Sequence, residues 1–185
     1  MTRRVLLTMA MAALAIASSA CGKDNVSPAP PAVATSATPT ATSVNLVSLA
    51  DLRACVPDFR GWTRGEMVAQ EGSAPQRSTQ VVVTFTRGTE RLEMEIADTG
   101  GAPRAIESLE QIAGSTTNRT VGNGYFKGTT VSGFPAVEAW NTVEKVGELS
   151  VLIRRRYIIH VAGSGMAGAA SMRALAEAVD SSRLR

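Results

Sequence analysis

The stretch TQVVVTFTRGTERLEMEIA, residues 79–97, carries the clearest strand pattern in the chain. Residues 79–87 are rich in β-branched and aromatic side chains, the composition of a strand. Residues 90–97 alternate strictly. Leu92, Met94 and Ile96 share one parity; Arg91, Glu93 and Glu95 share the other. A period of two marks a strand with one buried face. Gly88-Thr89 between the runs suits a tight turn, so the pair reads as an antiparallel hairpin.

Working outward, residues 48–55 (SLADLRAC) predict a short helix capped by Ser48 and stopped by Pro57. Phe59 and Trp62 then lead toward the sheet, and residues 66–71 form a further strand candidate. Downstream, Asp98-Thr99-Gly100-Gly101 interrupts the pattern. Pro103 suits the first turn of a helix and Gly114 its end. Ile106, Leu109, Ile112 and Ala113 supply one apolar stripe, with Glu107 and Glu110 outside it. Strand candidates follow at 123–131, 136–143, 148–153 and 156–162, with Arg154-Arg155 as a hairpin connection. Ala167 to Val179 predicts a final helix, with Met172, Leu175, Ala176 and Val179 inward. The expectation is an α+β domain: a mainly antiparallel sheet of six or seven strands with helices on one face. A β-barrel with a C-terminal helix is the alternative.

The first 44 residues belong to none of this. Arg3 and Arg4 precede an uncharged apolar run, Val5 to Ala17, and then Ser18-Ser19-Ala20-Cys21. That order is a secretory signal. The run falls short of the about 20 apolar residues that a membrane span needs, so residues 1–20 read as a cleaved signal peptide. Cys21 resembles the lipid-attachment cysteine of bacterial lipoproteins, although Ser18 stands where those carry a larger aliphatic residue. The resemblance implies cleavage after Ala20, a diacylglyceryl thioether on the Cys21 sulfur and acylation of the new amino group. The alternative is an ordinary secreted protein. Gly22, rather than an aspartate, follows the cysteine. In a host with two membranes, that resembles the pattern sent to the periplasmic side of the outer membrane. Residues 21–44 then form a tether. NVSPAPPAVATSATPTATS carries no charge, no aromatic residue and half of the chain's eight prolines, too little apolar surface to offset ordering. Residues 45–185 suit one domain.

Charge excludes one class of partner. The 185 residues carry 19 Lys and Arg against 16 Asp and Glu. Without Arg3 and Arg4 the balance is 17 to 16, a formal charge of +1. No basic stripe with interleaved aromatics appears, so nucleic acid is not expected.

The domain also resembles the PsbP-like group, which includes the envelope lipoproteins DcrB and LpqN. The resemblance rests on element order, the GFPAVEAW strand after its turn, the paired strands around 148–162 and the closing helix. It covers about residues 60–182. It implies a compact α/β sandwich acting as a binding or accessory module, and it carries over no catalytic residues.

Candidate chemistry is sparse. His160 is the only histidine, which excludes sites built on histidine pairs. It lies in the apolar strand YIIHV, where a sheet residue with a local hydrogen bond is the plainer reading than a lone base. With Cys21 acylated, Cys55 has no intrachain disulfide partner; beside Leu52 and Val56 it reads as a buried apolar residue. Glu93 and Glu95 share a face, but glycosidic chemistry needs carboxylates facing across a substrate. Asp98 lacks the ligand spacing of a calcium loop. Gly163, Gly165 and Gly168 match G-x-G-x-x-G without the parallel context of a dinucleotide site, and VGNGY (121–125) reads as a turn. No catalytic residue, cofactor or metal is expected. Arg154, Arg155 and Arg156 form the densest positive cluster, either a soluble hairpin tip or a contact for an anionic partner. Trp62, Tyr125, Phe126 and Trp140 are candidates for a ligand groove as much as for the core. These readings point to a lipid-anchored envelope protein that acts as a non-catalytic binding or accessory module, with the bilayer and an envelope protein as partners. A small hydrolase with a carboxylate site and a carrier of a small apolar ligand remain the alternatives.

Overall fold

A computed structural model of the chain describes residues 45–72, 77–115 and 118–184. The signal peptide, Cys21 and the tether lie outside the described residues. The elements in order are α1 (Leu49–Cys55), β1 (Thr63–Gly72), β2 (Ser78–Arg87), β3 (Glu90–Asp98), α2 (Pro103–Gly114), β4 (Asn118–Val121), β5 (Gly124–Val131), β6 (Phe134–Asn141), β7 (Val146–Ile153), β8 (Tyr157–Ser164) and α3 (Ala170–Glu177). A short 3-10 turn, Ser181–Arg183, follows.

Among the described residues the strands form one antiparallel sheet of eight, ordered β1-β2-β3-β8-β7-β6-β5-β4. Two hairpin runs, β1–β3 and β4–β8, meet where β3 pairs with β8. The sheet is open, with β1 and β4 as edges, which removes the barrel alternative. It also has one strand more than the six or seven expected. The addition is β4, the exposed polar stretch NRTV.

The 79–97 hairpin forms as its pattern dictates. Arg87 pairs with Glu90 across Gly88-Thr89, and Gly88 has φ +59°. Val81, Val83, Phe85, Leu92, Met94 and Ile96 are all buried on one face, here the inner face. Each such side chain contributes about 1.5–3 kcal/mol by leaving water. Tyr157, Ile159 and Val161 of β8, Leu149, Val151 and Ile153 of β7, and Ala136 and Trp140 of β6 extend this core. Two helices close over it. The Ser48 side chain caps α1 by accepting the Asp51 N–H at 3.1 Å, and Leu52 and Cys55 point inward. α3 brings Met172 and Leu175 onto the sheet. Its seat is glycine-lined: a Cβ at Gly163 would collide with Met166 Cε, and one at Gly147 with the Trp140 ring. Tight packing therefore accounts for Gly163, the first glycine of the G-x-G-x-x-G match.

α2 lies on the opposite, outer face, so the helices do not share one face as expected. It carries the chain from β3 in mid-sheet to β4 at the far edge and crosses β7, β6 and β5 on the way. Leu109 and Ile112 meet Val137 and Ala139, whose parity is opposite to inward Ala136, Glu138 and Trp140. The close of α2 rests on Gly128, where a Cβ would stand only 2.5 and 2.6 Å from the carbonyl oxygens of Ile112 and Ala113. Ile106 and Leu152 are buried outside the main core cluster. An amphipathic pattern specifies that a helix has an apolar stripe; the crossover decides which side of the sheet receives it.

Candidate functional site

On the outer face α2 covers only part of the sheet, and an open cleft runs along each of its sides. The first, of about 290 Å³, has walls from Ser108, Leu109 and Ile112 of α2 and a floor from Phe126, Val137, Ala139, Glu148 and Ser150. The second, of about 300 Å³, lies over β2, β3 and β8, with Gln80, Glu95, Ala97, Ile158 and His160 in its floor and Ala102 at its rim. Ala105 borders both. Each cleft is at the small end of ligand-site volumes. Apolar walls and a few convergent polar groups are the usual composition of a binding site.

The register places the polar groups. Glu95 lies opposite His160, and His160 opposite Ser150, in a row across β3, β8 and β7. Ser150 Oγ and His160 Nδ1 are 3.0 Å apart, and this bond joins the floors of the two clefts. The sequence reading of His160 as a sheet residue with a local partner agrees with this geometry. A hydroxyl beside an imidazole is also part of a nucleophilic site, which further needs a group that orients the base and donors for an oxyanion. Glu95 is a register neighbour of His160 but makes no hydrogen bond or ion pair with it. Glu93, on the same side of β3, is exposed and paired with Arg91 at 3.0 Å. The two glutamates line one strand and do not face each other across a cleft. Among the described residues no group of three or more His, Cys, Asp or Glu is placed to hold a metal ion.

The aromatic candidates separate by parity. Phe126 lines the first cleft. Tyr125, its neighbour in β5, packs against the inner core, and Trp140 is buried there. Trp62 stacks on Phe59 with centroids 5.7 Å apart, and the Arg87 guanidinium lies over its ring. Cys55 is buried in the core, and its thiol donates to Asp51 O at 3.2 Å. Burial, with Asp180 adding to it, pushes its pKa up to about 11, so the thiolate needed for nucleophilic chemistry is scarce at neutral pH.

The three arginines of the 154–156 cluster have different roles. Arg156 turns inward to Asp98, with Nε 2.8 Å from Oδ1 and Nη2 2.6 Å from Oδ2. Arg155 is exposed and meets Glu110 of α2 at 3.1 Å. Arg154 is exposed and donates to Leu184 O.

The sequence reading took Asp98 only as the start of a turn and passed over Glu138; both are buried acids. Asp98, fully buried, also accepts the N–H groups of Val47 at 2.8 Å and Gly100 at 2.9 Å. Burial alone would raise its pKa. The Arg156 hydrogen bonds and the two backbone donors outweigh burial and hold it below the usual carboxylate range. Glu138, also fully buried, accepts Tyr125 O–H at 2.6 Å and has Lys127 Nζ at 3.2 Å. Arg173 Nε stands 2.5 Å from Oε2 as an ion pair. Burial again opposes ionisation, and Tyr125, Arg173 and Lys127 outweigh it, keeping the Glu138 pKa low. The Tyr125 pKa is pushed up to about 12 by burial and by its bond to Glu138. Parity was the available signal: Asp98 continues the inward series 92, 94, 96, and Glu138 sits between inward Ala136 and Trp140. Both acids make internal contacts that organise the fold.

Comparison with known protein families, with curated proteins and with solved structures finds no match for this chain.

Proposed function

We propose that this chain is an envelope lipoprotein, anchored through acylated Cys21, whose folded domain is a non-catalytic docking module for another envelope component. The observation that carries the docking half is the pair of open clefts flanking α2, with apolar walls and the Ser150–His160 floor between them. Open clefts suit side chains that enter from a partner surface; a carrier of a small apolar ligand buries most of its cargo. Each cleft has room for a large side chain, and a few well-buried anchors dominate most interfaces. The signal, Cys21 and the composition of residues 21–44 support the anchor, and the periplasmic side of an outer membrane is the favoured site in a host with two membranes. An open antiparallel sheet closed by a terminal helix is compatible with a PsbP-like sandwich.

Two variants test the two halves separately. Cys21→Ala should move the chain from the membrane to the soluble fraction; continued membrane association would refute acylation. Ala105→Trp fills the boundary shared by both clefts. It should abolish crosslinking of the full-length chain to its envelope partner in cells while leaving membrane attachment intact. Partner capture equal to wild type would refute the docking surface. The Ser150–His160 bond is the one observation that favours a hydrolase instead. That reading requires Ser150→Ala to abolish a hydrolytic activity, whereas the docking reading requires no such activity.

A further inference from the structure

The chain joins the folded domain at one end of the sheet. Arg156 donates to Asn45 O, and Asp98 accepts Val47 N–H, which places the junction beside the β7–β8 hairpin. The turn residues Arg154 and Arg155 have φ +51° and +53°, and Arg156 N–H closes the turn on Ile153 O at 3.1 Å. Two successive positive φ values mark the tight hairpin turn that normally selects Asn-Gly or Asp-Gly. Arginine rarely adopts that backbone. Chain reversal alone does not call for arginine here; Arg154 ties the turn to Leu184 O and Arg155 ties it to Glu110, and both side chains remain exposed at the tip.

The surroundings point the same way. Arg155 is 70 % exposed, and its pairing with Glu110 is the screened surface kind that contributes little. Arg77, just before β2, and Arg104, in the first turn of α2, are exposed at this end. Neither makes an ion pair among the described residues. Glu71, Asp51 and Glu177 are exposed acids nearby, as is Asp180, which pairs with Arg183 at 2.9 Å. At the opposite end Arg87 pairs with Glu90 at 2.7 Å, Arg91 with Glu93 at 3.0 Å and Arg64 with Asp58 at 2.9 Å, while Arg60 and Lys145 are exposed there without an ion pair among the described residues.

We propose that the β7–β8 end of the domain lies against an anionic lipid surface, with Arg154 and Arg155 as its headgroup contacts. The proposal builds on the reading of Cys21 as acylated. Residues 22–44 link that anchor to Asn45, and as a coil they span roughly 25 Å. A tether of this length keeps this end of the domain, with its two turn arginines, within reach of the headgroup region. Tethering makes a weak contact effective by raising local concentration. Each basic side chain near an anionic bilayer strengthens binding about fivefold, so removal of two weakens it about 25-fold.

The test uses the mature chain from Cys21 with its thiol blocked instead of acylated. The probes are vesicles of phosphatidylcholine, alone or with one third phosphatidylglycerol. At millimolar lipid, where Arg77 and Arg104 add to the two turn arginines and the untethered contact is strong enough to read, the chain should sediment with the anionic vesicles only, and added salt should release it. Arg154→Asn with Arg155→Gly removes both guanidinium groups and installs the preferred turn sequence, so the fold is retained. This variant should bind about 25-fold more weakly. Arg87→Ser with Arg91→Ser, at the opposite end, should bind as wild type. Equal binding to both vesicle types, wild-type binding by the turn variant, or an equal loss from the opposite-end pair would overturn the proposal. Binding to neither vesicle would also overturn it and assign the arginines to an acidic protein surface. The blocked thiol makes each result independent of acylation in cells, which fractionation of Cys21→Ala reads separately.

Discussion

Asp98→Asn removes one negative charge from a fully buried site and changes almost nothing in shape. The wild-type carboxylate accepts two bonds from Arg156 and one each from the Val47 and Gly100 N–H groups. The amide keeps one acceptor and turns an NH2 toward donors. Breaking a buried ion pair on one side costs about 3–5 kcal/mol. The Arg156 side chain is 26 % exposed, so water recovers part of its charge, and the lower end, about 3 kcal/mol, is expected. Urea titration at neutral pH measures it directly. The pH dependence fixes the sign. The folded-state pKa of Asp98 lies below the ordinary value. Its stabilisation is therefore complete above the unfolded-state pKa of about 4 and is lost as pH falls through the lower, folded value. The gap between wild type and Asp98→Asn should accordingly be widest above about pH 5 and shrink below about pH 3. Hydrogen exchange at Val47 should quicken in the variant, because the same carboxylate holds the junction with residues 21–44. A cost under about 1 kcal/mol, or a gap independent of pH, would show that Asp98 and Arg156 do not act as a buried charge pair.

Other outcomes follow from single contacts. Gly128→Ala should cost about 2–3 kcal/mol in urea titration and lower partner capture, because its Cβ would push the closing carbonyls of α2 off the sheet. Arg154→Asn with Arg155→Gly should raise stability by about 1–2 kcal/mol in the same titration; relief of two positive-φ arginines exceeds the loss of exposed contacts to Leu184 and Glu110. Ser48→Ala should cost about 1 kcal/mol, the usual value of a helix N-cap. Cys55 should resist alkylation in the native protein and react once the chain is unfolded in urea, as its burial requires.

Much of the architecture is legible along the chain. The alternation of Leu92, Met94 and Ile96, the Gly88 turn, the Ser48 cap and the Pro103–Gly114 limits of α2 are local patterns, and the structure places each where the pattern puts it. What failed was either weakly patterned or nonlocal. β4 has four exposed residues and no apolar parity; its partner β5 makes it a strand. The side of the sheet on which α2 lands depends on a crossover from mid-sheet to the far edge. Asp98 and Glu138 showed inward parity, but their cations, Arg156, Lys127 and Arg173, lie far away in sequence or, for Arg156, within a run that looks like a solvent-facing cluster. The clefts are the least legible feature. Ser150 and His160 look like isolated polar residues until β7 pairs with β8, and Ala105 gains meaning only when α2 lies between the two clefts.

The most direct test of the docking surface is site-specific photo-crosslinking of the full-length chain in its native envelope. A photoreactive residue is placed in turn at Gln80 and Ser108, one on each cleft, and at Thr89 and Glu144, remote from both. The two cleft positions should capture the same envelope component, Ala105→Trp should abolish both captures, and the remote positions should capture none of it. Capture of that component from Thr89 or Glu144 with silent clefts would place the docking surface away from α2.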